Sequence, residues 1–239
     1  MNLKIKIKKN LEKMNYDLRN NEKYWKISAG GMTLLKELKS FLPSYCKGKI
    51  LDAGAGHLLY KSLLTKYSKD YESMDFQKTH PDLTYVTDIQ NMSDVNNDRY
   101  NFVFSRNVFE HIPYPAKAFS EIWRVLKTGG YAIITVPHLG YLHNEPYDFW
   151  RFTKYSLRKL STDNNFEIID IKEMGGFIVF QSYIFQTIFM GLTYNIPIIG
   201  KIAFWINFLI QKLALVLDKV AGMKKVLPAD YLLIIKKKL

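Results

Sequence analysis

The chain has 239 residues, 48% hydrophobic and 23% charged, a balance that excludes intrinsic disorder and fibrous or low-complexity classes. One domain of this length buries its own core without a disulfide or metal staple. The single cysteine, Cys46, excludes a disulfide framework or a multi-cysteine zinc site and fits a reducing compartment. The net charge of +12 points to an anionic partner such as nucleic acid, a membrane face or an acidic substrate. Lys4, Lys6, Lys8, Lys9 and Lys13 crowd the start, and Lys224, Lys225 and Lys236 to Lys238 the end; solvated tails would read the same way. No apolar segment with a small-residue cleavage site follows the basic start, so no signal peptide is expected and the expected location is cytoplasmic.

Residues 21–42 predict a helix interrupted at Gly30-Gly31, with Pro43 and Gly48 as punctuation after it. Lys49-Ile50-Leu51 predicts a first strand, residues 58–68 a helix, and residues 71–74 a second strand stopping at Asp75. Residues 83–86 and 102–104 predict two more strands. Residues 116–126 predict an amphipathic helix closed by Lys127 and Gly129-Gly130. A fifth strand at 131–136, a helix at 153–161, a sixth strand at 166–171 and a seventh at 231–235 complete the pattern. Strands alternating with helices argue for a parallel sheet covered on both faces, with ligands beyond the carboxyl ends of its strands. No internal repeat is evident.

The first strand runs into Asp52-Ala53-Gly54-Ala55-Gly56. Two glycines two apart permit a tight turn and close backbone approach to a ligand. The third glycine of a dinucleotide fingerprint is missing, since Leu59 holds its place, and there is no Gly-Lys-Ser/Thr phosphate loop. A carboxylate at Asp52 suits a positively charged ligand group better than a phosphate. Asp75 falls where a strand-end acid meets both hydroxyls of a ribose, and Asp88 ends the third strand, where an adenine amino group could be met.

From about residue 48 to 173 the chain resembles a class I S-adenosylmethionine (SAM) dependent methyltransferase of the methyltransferase domain 11 group. Asp52-x-Gly54-x-Gly56 matches its first motif, Asp75 its ribose acid and Asp88-Ile89 its adenine contact. The run from Tyr100 to Ile112 is similar to its fourth strand and the following turn. Glu121-Ile122-Trp123-Arg124-Val125-Leu126-Lys127-Thr128-Gly129-Gly130 is the most specific match. Leu58 stands where that family usually has a glycine, Asn101 where it has Asp, and Thr128 where it has Pro. The resemblance implies a Rossmann-like α/β fold, with a seven-stranded, mostly parallel sheet whose last strand is antiparallel. It implies SAM as cofactor, held by Asp52, Gly54, Gly56, Asp75, Phe76, Asp88, Ile89, Ser105 and Asn107.

Methyl transfer is a displacement for which the protein aligns acceptor and methyl, and an oxygen acceptor also needs a base. Residues 137–153 pack two histidines, two acids, an arginine and five aromatic rings behind the fifth strand, a composition that reads as a substrate site. His138 is the first candidate base, His143 the second and Asp148 the reserve. Tyr147, Trp150 and Arg151 are candidate substrate contacts, with Arg151 either binding an anion or pairing with Asp148. His111 is expected to orient its own turn beside Glu110. The stretch Trp150-Arg151-Phe152-Thr153 resembles a segment of family members from polysaccharide-biosynthesis clusters. No metal site is expected. The place after strand four lacks the Asp/Asn-Pro-Pro-aromatic motif of DNA amino methylation, and Cys46 lies outside the site, against base-carbon methylation.

No charged residue lies between Glu173 and Lys201. Residues 177–196 and 202–220 predict two apolar helices with narrow polar stripes (Ser182, Gln186, Thr193; Asn207, Gln211, Asp218) parted by Pro197 and Gly200. They suit an interfacial hairpin that lies on a membrane or caps a lipid-like substrate; a cap on the protein's own sheet, a homodimer face or a membrane-crossing hairpin are the alternatives. The expected organisation is a basic segment with cap helices at 1–47, a SAM-binding core at 48–173, a hydrophobic helical insertion at 174–225, and a last strand with a basic tail at 226–239. The expected activity is O-methylation of a sugar or lipid-linked glycan at the cytoplasmic face of an anionic membrane. Methylation of a quinone or other lipid, or non-catalytic SAM binding, are the rivals. DNA is excluded as partner and RNA is not favoured, because no RNA-binding module is visible.

Overall fold

A computed structural model of the chain describes residues 3–18, 21 and 23–238. The Lys4 side chain, and Glu22 within the helix expected over 21–42, lie outside the described residues. The chain forms two compact units, one of residues 39–172 with 230–239, the other of residues up to Leu38 with 173–229.

The first unit is built on a sheet whose strands are β1 (Ile50–Ala53), β2 (Tyr71–Asp75), β3 (Tyr85–Val86), β4 (Tyr100–Arg106), β5 (Leu126–Pro137), β6 (Phe166–Met174) and β7 (Asp230–Lys237). Their order is β3-β2-β1-β4-β5-β7-β6. The β3–β2–β1–β4–β5 pairings are parallel, while β7 runs antiparallel to β5, from Tyr131 opposite Lys236 to Pro137 opposite Asp230. This is the mostly parallel, Rossmann-like sheet with an antiparallel last strand that the sequence leads one to expect. β1 is buried along its whole length, as a central parallel strand covered on both faces must be. The helix Pro115–Val125 turns Ala118, Phe119, Ile122 and Val125 inward at helical spacing, with Pro115 at its first turn. Phe119 meets Phe109 and Phe166 edge-on at centroid distances of 5.1 and 6.3 Å. The polar face of that helix explains the most specific sequence match. Glu121 accepts from the Met92 amide at 2.6 Å, and Arg124 bonds Glu121, the Met92 and Val95 carbonyls and Asn97, clamping the segment after β3. The helix Lys154–Asp163 opens with a reciprocal Thr153–Ser156 cap.

Two local readings change. The helix expected over 58–68 shrinks to Lys61–Leu64, because Leu58 adopts φ +59, where helix cannot start. Leu58 takes the left-handed conformation a glycine would take, at a cost of about 1–2 kcal/mol, and offsets it by burying its side chain to 6% exposure. Second, the helix of residues 21–42 breaks at Ile27-Ser28 into Lys23–Lys26 and Ala29–Tyr45. Gly30 and Gly31 sit inside the first turn of the second piece and Pro43 inside its last, so neither punctuates.

The second unit is helical: α1 (Leu3–Leu18), then the piece Lys23–Lys26, the start of Ala29–Tyr45, α7 (Phe177–Thr193), α8 (Ile199–Val220) and the turn Met223–Val226, α7 and α8 being numbered in chain order with the five helices between α1 and α7 given above. The basic start is therefore a helix rather than a loose tail. Met14, Leu18, Ile27, Met190 and Phe204 form this unit's apolar centre. α1 and α7 approach closely: a side chain added at Gly191 would meet Ile7 Cγ2 at 2.6 Å, and Asn10 Nδ2 donates to the Gly191 carbonyl at 2.7 Å.

The polar stripes of α7 and α8 face inward. Ser182, Gln186, Asn207, Gln211 and Asp218 are all at most 8% exposed. Gln211 Oε1 accepts from the Ala29 amide at 3.0 Å and from Ser182 Oγ at 2.9 Å, and Asn207 Nδ2 donates to the Ile27 carbonyl at 2.7 Å. Asp218 Oδ1 accepts from the Ile178 amide at 3.1 Å and so caps α7 from a distance. The apolar sectors point outward instead, with Trp205, Leu209, Leu213 and Val216 each more than half exposed.

Candidate functional site

The carboxyl ends of β1, β2, β4 and β5 meet at one edge of the sheet, where the glycine loop begins. Gly54 adopts φ +82 and lies so close to Val108 that a Cβ would stand 2.2 Å from its Cγ2. The Gly54 and Ala55 amides both donate to the Met74 carbonyl at 2.9 Å, which folds the loop across β2. Gly56, at φ +51, faces open space and donates its amide to Asp75 Oδ2 at 2.9 Å, while the Gln77 amide lies 3.3 Å from Asp75 Oδ1. Asp75 thus closes the loop and keeps lone pairs on both oxygens for a ligand. Asp52 is 2% exposed and accepts from the Tyr71 hydroxyl at 2.8 Å; desolvation pushes its carboxyl up to about 7. Ser105, at the end of β4, is fully buried and its Oγ has no partner among the described residues. A glycine cradle with open space at Gly56, a two-oxygen acceptor at Asp75 and a buried donor at Ser105 fit the nucleoside and amino-acid ends of SAM.

The other predicted cofactor contacts are less uniform. Asn107, at φ +50, donates its amide to the Thr135 carbonyl at 2.9 Å and accepts from the Thr135 hydroxyl at 3.1 Å, tying β4 to β5. Phe76 is 66% exposed at the loop's rim. Asp88 carries its carboxylate on the surface, where the Gln90 amide and side chain hold it at 2.9–3.1 Å, with Oδ2 keeping a lone pair that could meet an adenine amino group. Ile89 is buried in the main core.

Behind β5 the structure separates the candidate bases. His138 places Nδ1 2.8 Å from the Phe152 carbonyl; a carbonyl only accepts, so Nδ1 carries the proton and Nε2 is the basic nitrogen. Its ring meets Tyr231 edge-on. Asp148 is not available as a base. Arg151 grips it with two bonds of 2.7 and 3.0 Å, and the His143 amide adds a third. The Arg151 guanidinium holds that carboxyl well below the usual range. Of the two roles expected for Arg151, the pairing with Asp148 is the one present. It also donates to the Tyr141 and Trp150 carbonyls, so it fastens the loop and has little left for an anion. Trp150 donates Nε1 to the Ile112 carbonyl at 2.9 Å, and Tyr147 stands 61% exposed.

Sequence reasoning passed over Glu110. It lies in the short turn Phe109–His111 after β4 and is fully buried, yet neither carboxylate oxygen meets a donor from another described residue within hydrogen-bond distance. Burial pushes it up to about 8. The signal was present: an acid set between Phe109 and Ile112 at a strand's carboxyl end, followed by a histidine.

A family model described as Methyltransferase domain matches residues 24–179; it is group 23 of these domains, where the sequence resemblance pointed to group 11. The chain is 37% identical over 83 residues to phosphoethanolamine N-methyltransferase 2 of Caenorhabditis elegans, a match covering 35% of this chain and 18% of that relative. A Haemonchus contortus phosphoethanolamine N-methyltransferase 2, solved with phosphomonomethylethanolamine and S-adenosylhomocysteine, superimposes with a TM-score of 0.60 at 15% identity, over 96% of this chain and 58% of that one. A SAM-dependent methyltransferase from Archaeoglobus fulgidus gives 0.57 at 18% identity, over 85% and 93%. The [4+2]-cyclase SpnF gives 0.60 at 13% identity, over 87% and 81%. The chain therefore belongs to the methyltransferase-domain family, as a class I SAM-dependent methyltransferase.

Proposed function

We propose that the protein methylates a hydroxyl of a sugar or lipid-linked glycan at the cytoplasmic face of an anionic membrane. Bound SAM would supply an electrophilic methyl group, and Asp52, Gly54, Gly56, Asp75 and Ser105 would hold it. The acceptor hydroxyl gives its proton to His138 Nε2. The observation that carries the reading is the bond from His138 Nδ1, just beyond β5, to the Phe152 carbonyl, which leaves Nε2 as the nitrogen that can take a proton. An amine acceptor with its own lone pair has less need of such a base, which sets this reading apart from the phosphoethanolamine relatives. The location is supported by the outward apolar sector of α8, and by a cavity of about 500 Å³ in the helical unit where Lys13, Lys23 and Lys201 stand beside Phe204 and Trp205.

Labelled SAM incubated with the protein and a cell extract, followed by fractionation, should place label in the lipid or glycan fraction; label confined to small amines or RNA would overturn the acceptor class. His138→Ala should slow transfer by about a hundredfold to ten-thousandfold with SAM affinity intact. Asp75→Ala should instead weaken SAM binding by about 1.5–3 kcal/mol for each charged hydrogen bond lost. A His138→Ala enzyme with near-normal turnover would sink the base assignment.

A further inference from the structure

We infer that Glu110, His111 and His143 form a binding site for a divalent transition-metal ion, Zn²⁺ by the chemistry of its donors. One ligand atom from each residue lies within 4.8 Å of the other two, and His111 Nε2 stands 3.8 Å from Glu110 Oε1. Zinc bonds of about 2.0–2.1 Å separate tetrahedral ligands by roughly 3.3–3.5 Å. The set therefore closes on an ion by a shift of about an ångström, which the half-buried His143, on the loop behind β5, can supply.

Two independent features point to an ion. The Glu110 carboxylate is fully buried and aimed into the cluster without a donor from another described residue, and a buried carboxylate left so is costly unless something pairs with it. Both rings are oriented as metal-binding imidazoles are. His111 donates Nδ1–H to the Tyr147 carbonyl at 2.6 Å and His143 donates Nδ1–H to the Tyr141 carbonyl at 3.1 Å, so each offers an Nε2 lone pair while a carbonyl fixes its tautomer. The rings stand edge to face with centroids 4.7 Å apart. Among the described residues a long 3.4 Å contact from Asn144 Nδ2 meets the His111 lone pair, and an ion would replace it.

Two imidazoles and one carboxylate suit zinc and related first-row ions rather than magnesium or calcium. Three protein ligands leave at least one position open, the arrangement of reactive rather than structural sites. Such an ion would draw a hydroxyl oxygen to it and ease loss of its proton, a role that rests on the reading above, whereas the binding does not.

The test is titration of the EDTA-stripped full chain with Zn²⁺ by calorimetry and with Co²⁺ by visible absorption. About one ion per chain is expected, with a cobalt ligand-field band. His111→Ala, His143→Ala and Glu110→Gln should each weaken binding by tenfold or more, and His80→Ala should not. His143→Ala, on a surface loop, keeps the test sound should Glu110→Gln fold poorly. No binding, or binding that His111→Ala and His143→Ala leave unchanged, overturns the inference. SAM titration of the same samples separates the two claims: SAM binding without the ion sinks only the metal site, and ion binding without SAM sinks only the methyltransferase reading.

Discussion

The sheet unit and the helical unit solve burial in opposite ways. Around the sheet, Val103, Phe119, Ile122, Ile134 and Leu233 are fully enclosed, Asp52 and Asp75 sit at the carboxyl ends of β1 and β2, and Glu72 near the opposite ends is paired with Lys49, Arg99 and the Tyr100 hydroxyl. In the helical unit the amides and hydroxyls of Ser182, Asn207 and Gln211 bond one another and the backbone where the helix is interrupted at Ile27–Ala29, while leucines, isoleucines and tryptophan face out. The first arrangement is what water imposes on a globular domain. The second suits a surface whose outer medium is itself apolar. Composition alone does not separate them, since both regions are rich in large aliphatic and aromatic residues; the direction in which the polar minority points does.

The contrast can be broken most forcefully from the sheet side. Phe119→Ala removes a fully buried ring that touches two others and should destabilise the sheet unit by about 3–5 kcal/mol, read as a lowered urea midpoint with an unchanged slope. A smaller loss would mean the core around Phe109 and Phe166 collapses into the space. Gln211→Ala strands the buried Ala29 amide, while the Ser182 hydroxyl keeps the Val179 carbonyl, and about 1–3 kcal/mol should be lost for the unsatisfied group. If the variant is as stable as the parent, the inward stripe is not what holds the helices together. The outer face should give the smallest stability effect. Leu209→Ser with Leu213→Ser should change unfolding free energy by no more than about 0.5 kcal/mol per site, yet abolish flotation with anionic vesicles at low salt. A parent protein that stays at the bottom of the gradient, folded and binding SAM, removes the membrane from the proposal.

Much of the sheet unit was legible in the sequence because its signals are local. The run Ile50–Ala53 before two glycines, the inward spacing of Ala118, Phe119, Ile122 and Val125, and the strand-end acids Asp52 and Asp75 each announce their place. The helical unit was legible only as two apolar helices with stripes. Which way the stripes face depends on Ile27 and Ala29, some 180 residues away in the chain, and no periodicity carries that. The same limit explains the site. Arg151 and Asp148 are three apart and their pairing was foreseen as one of two outcomes, whereas Glu110 acquires its meaning only when the loop bearing His143 folds back over the turn after β4. Gly30-Gly31 misled for a further reason: a helix start tolerates glycine, and the real break came from the Ile27-Ser28 junction.

Leu58 has one more consequence. A glycine at that position would roam over both halves of backbone space in the unfolded chain, whereas a leucine has only a narrow left-handed well and a side chain that must be buried to hold it there. The loop that follows Gly56 is therefore ordered by the protein's own core before any nucleoside arrives. Association need not freeze it, so the entropy of ordering falls on folding rather than on binding. In a cell where SAM and its demethylated product compete for the same cradle, a loop already in shape offers both the same entrance, and discrimination falls to the groups that meet the sulfur's charge.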